Sequence, residues 1–194
     1  MIVRAPLRCS MREIQRFILS KELWIKKVIH QQTQRILLQI PEKIEDGAKI
    51  PYFGSWYPVA WHEQQAPLID GCCYLPKKWQ GEGTQRKLVR WLKKEAMTYL
   101  TKRTSEWSIY LQVPVNSIKI TTAKKRLGSC NRKKEIRYTW RIMMLPPPLI
   151  DYIILHELAH IKVHAHNKDY WKLLQQWLPN LPTLKNDLKT YLLS

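Results

Sequence analysis

Apolar and polar positions follow two different periods along this chain, and each change of period marks an element. In SMREIQRFILSKELWIKKVI, Ile14, Phe17, Ile18, Trp24, Ile25 and Val28 recur at near-helical spacing. Ser10 followed by Glu13 supplies a capping box at its start. A turn-rich stretch comes next: IPYFGSWYPVAW reads as two strands about Gly54-Ser55, and GCCYLPKKW as further β-structure with loops. GTQRKLVRWLKKEAMTYLTKR is a second helix, with Leu88, Trp91, Leu92, Ala96 and Leu100 on one stripe. The period then drops to two. WSIYLQVPV alternates Trp107, Ile109, Leu111, Val113 and Val115 with more polar neighbours and is expected to be a half-buried strand. EIRYTWRIMM sets Ile136, Tyr138, Trp140 and Ile142 on one face and Arg137, Thr139 and Arg141 on the other. Between Ile118 and Met143 a hairpin is expected, turning in GSCNRKK. Pro146 to Pro148 open a helix, because proline is tolerated in a first turn, and two short helices split by LPNLPT complete the chain.

The helix after the prolines is apolar nearly all round, through Leu149, Ile150, Ile153, Ile154, Leu155, Leu158 and Ile161, so it must be buried. Burying His156, Glu157 and His160 on it without partners would cost several kcal/mol. A divalent cation satisfies them economically. His156 and His160 lie about 40° apart around the helix and about 6 Å apart along it, so both imidazoles can reach one ion. Glu157, next to the first ligand, can hold the water of such an HExxH site.

A working zinc takes three protein ligands, and two histidines compete for the third place. On an unbroken helix His164 would sit about 12 Å beyond His156, too far for a zinc–nitrogen bond of about 2.1 Å. His166 suits only if the chain leaves the helix after His160 and folds back, which residues 162–165 can allow. The expected ligands are therefore His156, His160 and His166. His164 is left as a second-layer or substrate-side group, or simply an exposed polar residue. Three neutral imidazoles around Zn2+ leave a position for water, and with Glu157 as general base the expected chemistry is amide hydrolysis.

Charge adds a candidate partner. The 194 residues carry 33 basic and 15 acidic side chains, a formal net charge of +18, and residues 77–141 alone hold 18 Lys/Arg against 4 Asp/Glu. A basic segment of this kind can bind DNA or RNA, or can be a solvated surface. Cys9, Cys72, Cys73 and Cys130 match no paired zinc spacing and read as free thiols in a reducing compartment. With no signal peptide and no run of 18 apolar residues, a soluble cytoplasmic protein without membrane association is expected.

RLGSC followed by IRYTWRIMMLPPPLIDYIILHELAHIKVHAHNKDYW resembles the YgjP-like metallopeptidases, relatives of the SprT-like zincins. Arg126, Gly128, Ser129, Cys130, Trp140, Arg141, Asp151, Tyr152, His156, Glu157, Leu158, His160, His166 and Trp171 match that family's pattern in place. VRAP, REIQRFILSKELWIKK and YFGSWYPV extend the resemblance upstream. Leu127, Thr139 and Ala165 depart from it, leaving ligands and base intact. The resemblance implies an α+β, zincin-like metallopeptidase domain over 79–194, its active-site helix packed on a small antiparallel sheet. A small mixed α/β N-terminal region over 1–78 precedes it. It also implies the last histidine as third ligand, and SprT-like relatives suggest action on nucleic-acid-associated protein.

Arg126, Ser129 and Arg141 fall on the expected hairpin, where they can aid an extended peptide, an oxyanion or a carboxylate. Ser129 can equally close the turn after Gly128. Trp140 and Trp171 are expected in the core and Cys130 as a buried thiol. Two readings of other classes stand beside the peptidase: a metal-dependent phosphohydrolase acting on nucleotides, and a non-catalytic nucleic-acid-binding module with a structural metal.

Overall fold

The structure is a computed structural model that describes residues 5–6, 9–25, 36–64 and 66–193. It divides into two compact units, 1–36 and 37–194. In the first, α1 (Met11–Ser20) begins with the expected capping box: Glu13 N donates to Ser10 Oγ, and Ser10 N donates to Glu13 Oε2 at 2.8 Å. None of its residues is buried. Val28, expected on the same face, lies outside the described residues.

The second unit runs β1 (Ile36–Leu38), β2 (Lys49–Tyr52), β3 (Ser55–His62), β4 (Leu68–Asp70), β5 (Cys72–Pro76), α2 (Thr84–Tyr110), β6 (Ser117–Thr121), β7 (Gly128–Cys130) and β8 (Glu135–Thr139). After these come α3 (Pro147–Lys162), α4 (Lys168–Trp177), α5 (Leu181–Leu188) and β9 (Tyr191–Leu193). β1 pairs with β9, β2-β3-β5-β4 form one sheet, and β6-β8-β7 form another. Leu38, Ile50, Val59 and Leu75 belong to the same buried cluster as Leu88 of α2 and Ile154 of α3. The compact unit accordingly begins at Leu37.

The β2–β3 turn sits one residue earlier than expected, on Phe53-Gly54, both with positive φ (47° and 79°). Phe53 N and Gly54 N donate to the carbonyls of Met143 and Met144. A Cβ at Gly54 would come within 2.9 Å of Pro146 Cα, so glycine is required for the turn to dock where α3 begins.

Two expectations from periodicity are corrected. WSIYLQVPV is not a strand: α2 continues to Tyr110, because Leu100, Thr104, Trp107 and Leu111 prolong its helical spacing. Ile109, placed on the buried face of that strand, is 78% exposed. The helix stops in a Schellman arrangement, with Gln112 left-handed (φ 52°), Gln112 N donating to Ile109 O and Val113 N to Ser108 O. EIRYTWRIMM is extended only to Thr139, after which Trp140–Met144 form a 3-10 turn with every residue buried. Thr139 and Arg141 are thus interior rather than on an outer face.

The hairpin is present as β7–β8, turning at residues 131–134, but β6 runs parallel to β8. The sheet under α3 is therefore mixed rather than wholly antiparallel. The α+β architecture otherwise matches expectation, with α3 packed against β7 and against α2. Pro146 caps α3, whose Leu149, Ile150, Ile153, Ile154, Leu155 and Leu158 are buried. No helix among the described residues is long and apolar enough to cross a membrane.

Asp151 ties α3 to α2. Its carboxylate accepts from Arg103 Nε and Nη2, both at 2.7 Å, and from Trp107 Nε1 at 3.2 Å. A planar two-point contact of this kind is stronger than a single ion pair, although Arg103 keeps 35% of its side chain exposed. Asp151→Ala is expected to cost about 1–2 kcal/mol of stability, read as a lower urea midpoint with unchanged slope. An unchanged midpoint would show that the helices are held by apolar packing alone.

Candidate metal centre

α3 presents His156 and His160 one turn apart, and the geometry of residues 162–167 sets where a third imidazole falls. The helix ends at Lys162, and Val163 is extended (φ −136°, ψ 104°), so the chain turns back. Asn167 then caps α4, its Oδ1 accepting from Tyr170 N at 3.0 Å. Between these two fixed points His166 is carried over the first pair. One nitrogen from each of His156, His160 and His166 lies within 4.8 Å of the others, and the Nε2 atoms of His156 and His166 are 3.2 Å apart. Two nitrogens on a tetrahedral zinc are separated by about 3.4 Å, so the spacing suits such an ion.

The surroundings orient the rings for that task. His160 Nδ1 donates to the Val163 carbonyl at 3.2 Å, which leaves its Nε2 with a free lone pair. Tyr170, fully buried, stacks on His160 (4.6 Å between centroids, 28°), stands edge-on to the other two rings and donates from its hydroxyl to His156 O. Trp171 stacks on His166 at 5.7 Å. Burial, followed by the neighbouring His160 and His166, pushes the His156 imidazole down to about 3, and burial also lowers His160. Both are neutral near pH 7, the state a metal ligand requires.

Glu157 is 4% exposed, and its Oε2 has no hydrogen-bond partner. Burial pushes its carboxyl up to about 8, opposed by the Arg126 charge. It stands directly against β7: a Cβ on Gly128 would lie 2.8 Å from both Cγ and Cδ of Glu157, so only glycine leaves room for the carboxylate. Beside it a pocket of about 200 Å³ is lined by Leu127, Gly128, Tyr152, Ile153, His156, Glu157 and Leu188. An orphaned carboxylate oxygen and an unpartnered His156 Nδ1, both buried, mark this as a place built for more than packing.

The other expected residues are distributed around this centre. His164 is exposed and outside the three-nitrogen cluster. Arg126 and Ser129 line a second pocket of about 270 Å³ with Thr121, Arg137 and Thr139, on the Gly128 strand. Arg141 is not brought to the histidines; it lies buried in the 3-10 turn and lines a separate pocket. Trp140 is core and Trp171 half-buried. Cys130 is half-buried rather than buried, burial raising its thiol to about 11, and all four cysteines are free. Tyr170 and the steric role of Gly128 were not foreseen. Asn167 as a helix cap directly after His166 was the available signal, since it places Tyr170 in the first turn beside that ring.

Comparison with known proteins agrees with the resemblance read from the motifs. The profile of YgjP-like metallopeptidase domains matches residues 1–191. Over 84 residues the chain is 32% identical to UTP pyrophosphatase of Escherichia coli (strain K12), a match covering 42% of this chain and about half (50%) of that protein's length. Two metallopeptidase zymogens resemble part of the structure: abylysin of Pyrococcus abyssi (18% identity, TM-score 0.43, 47% of this chain and 92% of that one) and jannalysin of Methanocaldococcus jannaschii (22%, 0.39, 46% and 92%). With its profile spanning residues 1–191, the chain belongs to the YgjP-like family of metallopeptidase domains.

Proposed function

We propose that this protein is a zinc-dependent metallopeptidase in which His156, His160 and His166 hold the ion and Glu157 is the general base. The observation that carries this reading is the return of His166 onto the His156–His160 pair beside a buried carboxylate with an unpartnered oxygen. Zinc bound there supplies Lewis acidity, lowering the pKa of water toward 7 and polarising a carbonyl.

The chain's own groups do the remainder. A cation beside Glu157 opposes the burial that raises its carboxyl, favouring the ionised form a base needs. Glu157 accepts a proton from water as the water oxygen bonds to the peptide carbonyl carbon. It then returns that proton to the amine nitrogen as the C–N bond breaks. β7 is the outer strand of its sheet and passes Glu157 at Gly128, and its outer edge can take an extended peptide by strand addition. Arg126 and Arg137 at the adjoining pocket favour an acidic group on that substrate. Exposed Arg86, Arg90, Lys94 and Lys102 repeat along the outer side of α2 and are the surface best suited to DNA or RNA near the substrate protein.

A second reading, hydrolysis of nucleotide phosphates, is favoured by the name of the Escherichia coli relative and by the same two arginines. A non-catalytic structural metal fits less well, because it gives a buried Glu157 nothing to do.

Glu157→Gln is expected to lower peptide hydrolysis by at least about 100-fold while zinc content by metal analysis stays at the wild-type level. Full activity in that variant would remove Glu157 from the mechanism, and turnover of UTP but of no peptide would favour the second reading. In zinc titrations against a chelating dye, His166→Ala is expected to weaken affinity by at least about 100-fold and His164→Ala by less than about threefold. The reverse order would overturn the ligand assignment.

A further inference from the structure

Among the described residues, two charged side chains are buried: Glu157, which belongs to the metal centre, and Arg141, which does not. Arg141 is 8% exposed. Its guanidinium makes a single long hydrogen bond, Nη1 to the Thr122 carbonyl at 3.4 Å, and its Nε has no partner. Its face lies over the Trp140 ring at 4.8 Å. No carboxylate comes within ion-pair distance of it among the described residues; Glu42 shares its pocket without pairing. Burial holds the guanidinium below the ordinary arginine value, and no neighbouring charge offsets that effect. Leaving a charge interior and uncompensated is among the costlier arrangements a fold can keep.

Two features indicate what would compensate it. First, the neighbouring Trp140 indole Nε1 is also buried without a partner. Both orphaned atoms are donors, so the missing groups are acceptors. Second, Arg141 and Trp140 line a pocket of about 620 Å³ together with Lys124, which has no hydrogen-bond or ion-pair partner among the described residues. That volume falls within the range of small-molecule sites, and Ile40 and Val89 give the pocket an apolar side.

We propose that this pocket binds a small ligand through an oxyanion headgroup, a phosphate or a carboxylate, gripped by Arg141 and Lys124 with the ligand's body on the apolar side formed by Ile40 and Val89. The site is distinct from the metal centre. It shares no lining residue with the pocket beside Glu157, and one segment, whose Thr122 and Lys124 line it while Thr121 and Ala123 line the Arg126 pocket, separates it from the latter. Hydrogen bonds to both of its faces, Thr139 Oγ1 to Ala123 O and Arg141 Nη1 to Thr122 O, fix that segment between them.

The test is calorimetric titration of inorganic phosphate, and in a parallel arm acetate, into the full-length chain at constant ionic strength. Saturable binding of at least one anion is expected, weakened at least about tenfold in Arg141→Gln and about threefold or more in Lys124→Ala. Arg126→Ala, in the other pocket, should change it by less than about twofold, and His166→Ala should leave it in place. The tighter of the two anions identifies the headgroup. Lys124→Ala alters only an exposed side chain, so the test stands even where Arg141→Gln fails to fold. Absence of saturable binding, equal binding in Lys124→Ala, or loss of binding in His166→Ala would overturn the proposal.

Discussion

The candidate metal centre depends on where one helix stops. A helix continued beyond Lys162 would carry the later histidines away along its axis, at about 1.5 Å per residue, and no third imidazole could meet the first two. Val163 leaves the helical region, and its amide still donates to Ala159 O, so the helix closes cleanly before the chain turns. The Val163 carbonyl, turned inward by the same change, is the group that accepts from His160. A single conformational change thus ends the helix, fixes one ring and returns the chain. Asn167 and Tyr170 complete the turn by starting the next helix at once and packing its first residues under the three rings. The loop is short and held at both ends, which limits the entropy that must be lost to keep His166 in register.

The carboxylate obeys a different constraint. Glu157 is one residue after His156 and is directed toward the sheet, where it would collide with any side chain at position 128 of β7. Glycine at 128 admits it, and the result is proximity: the acidic group, the His156 imidazole and β7 meet at one pocket. The cost is burial of a carboxyl whose neutral form is favoured until a positive charge is nearby. Arg126 supplies a partial charge of that kind from the strand's approach. Strand and helix therefore have to be placed together, and the Arg103–Asp151–Trp107 contact between α2 and α3 helps hold that placement from the far end of α3.

Much of this was legible from residue order. The capping box at Ser10, the opening prolines of α3, the HExxH pair and the need for a bend before His166 rest on local rules that tertiary packing did not override. Errors arose where one pattern satisfied two periods. Trp107 and Leu111 suit alternation, but they also continue the spacing of Leu100 and Thr104, and a helix already under way is extended more cheaply than a strand is begun. The polar face assigned to Thr139 and Arg141 failed for another reason. An alternating strand predicts its outer face only while it remains a strand, and at Trp140 the chain turned into the interior. Gly128 and Tyr170 were hidden because their roles are steric and depend on the groups opposite them in space.

Arg141 and Glu157 illustrate one principle with opposite signs. Each is a buried ionisable group with an atom left unpaired, and each lies at the wall of a pocket. For the acid, three lone-pair donors stand beside it, so the complementary charge is a cation. For the base, the surrounding groups are an indole N–H and an ammonium, so the complementary charge is an anion. A fold of this size loses several kcal/mol by keeping either group unpaired, a large share of the stability of an ordinary domain. Retaining both is consistent with a chain whose lowest free energy is reached only with its ligands in place.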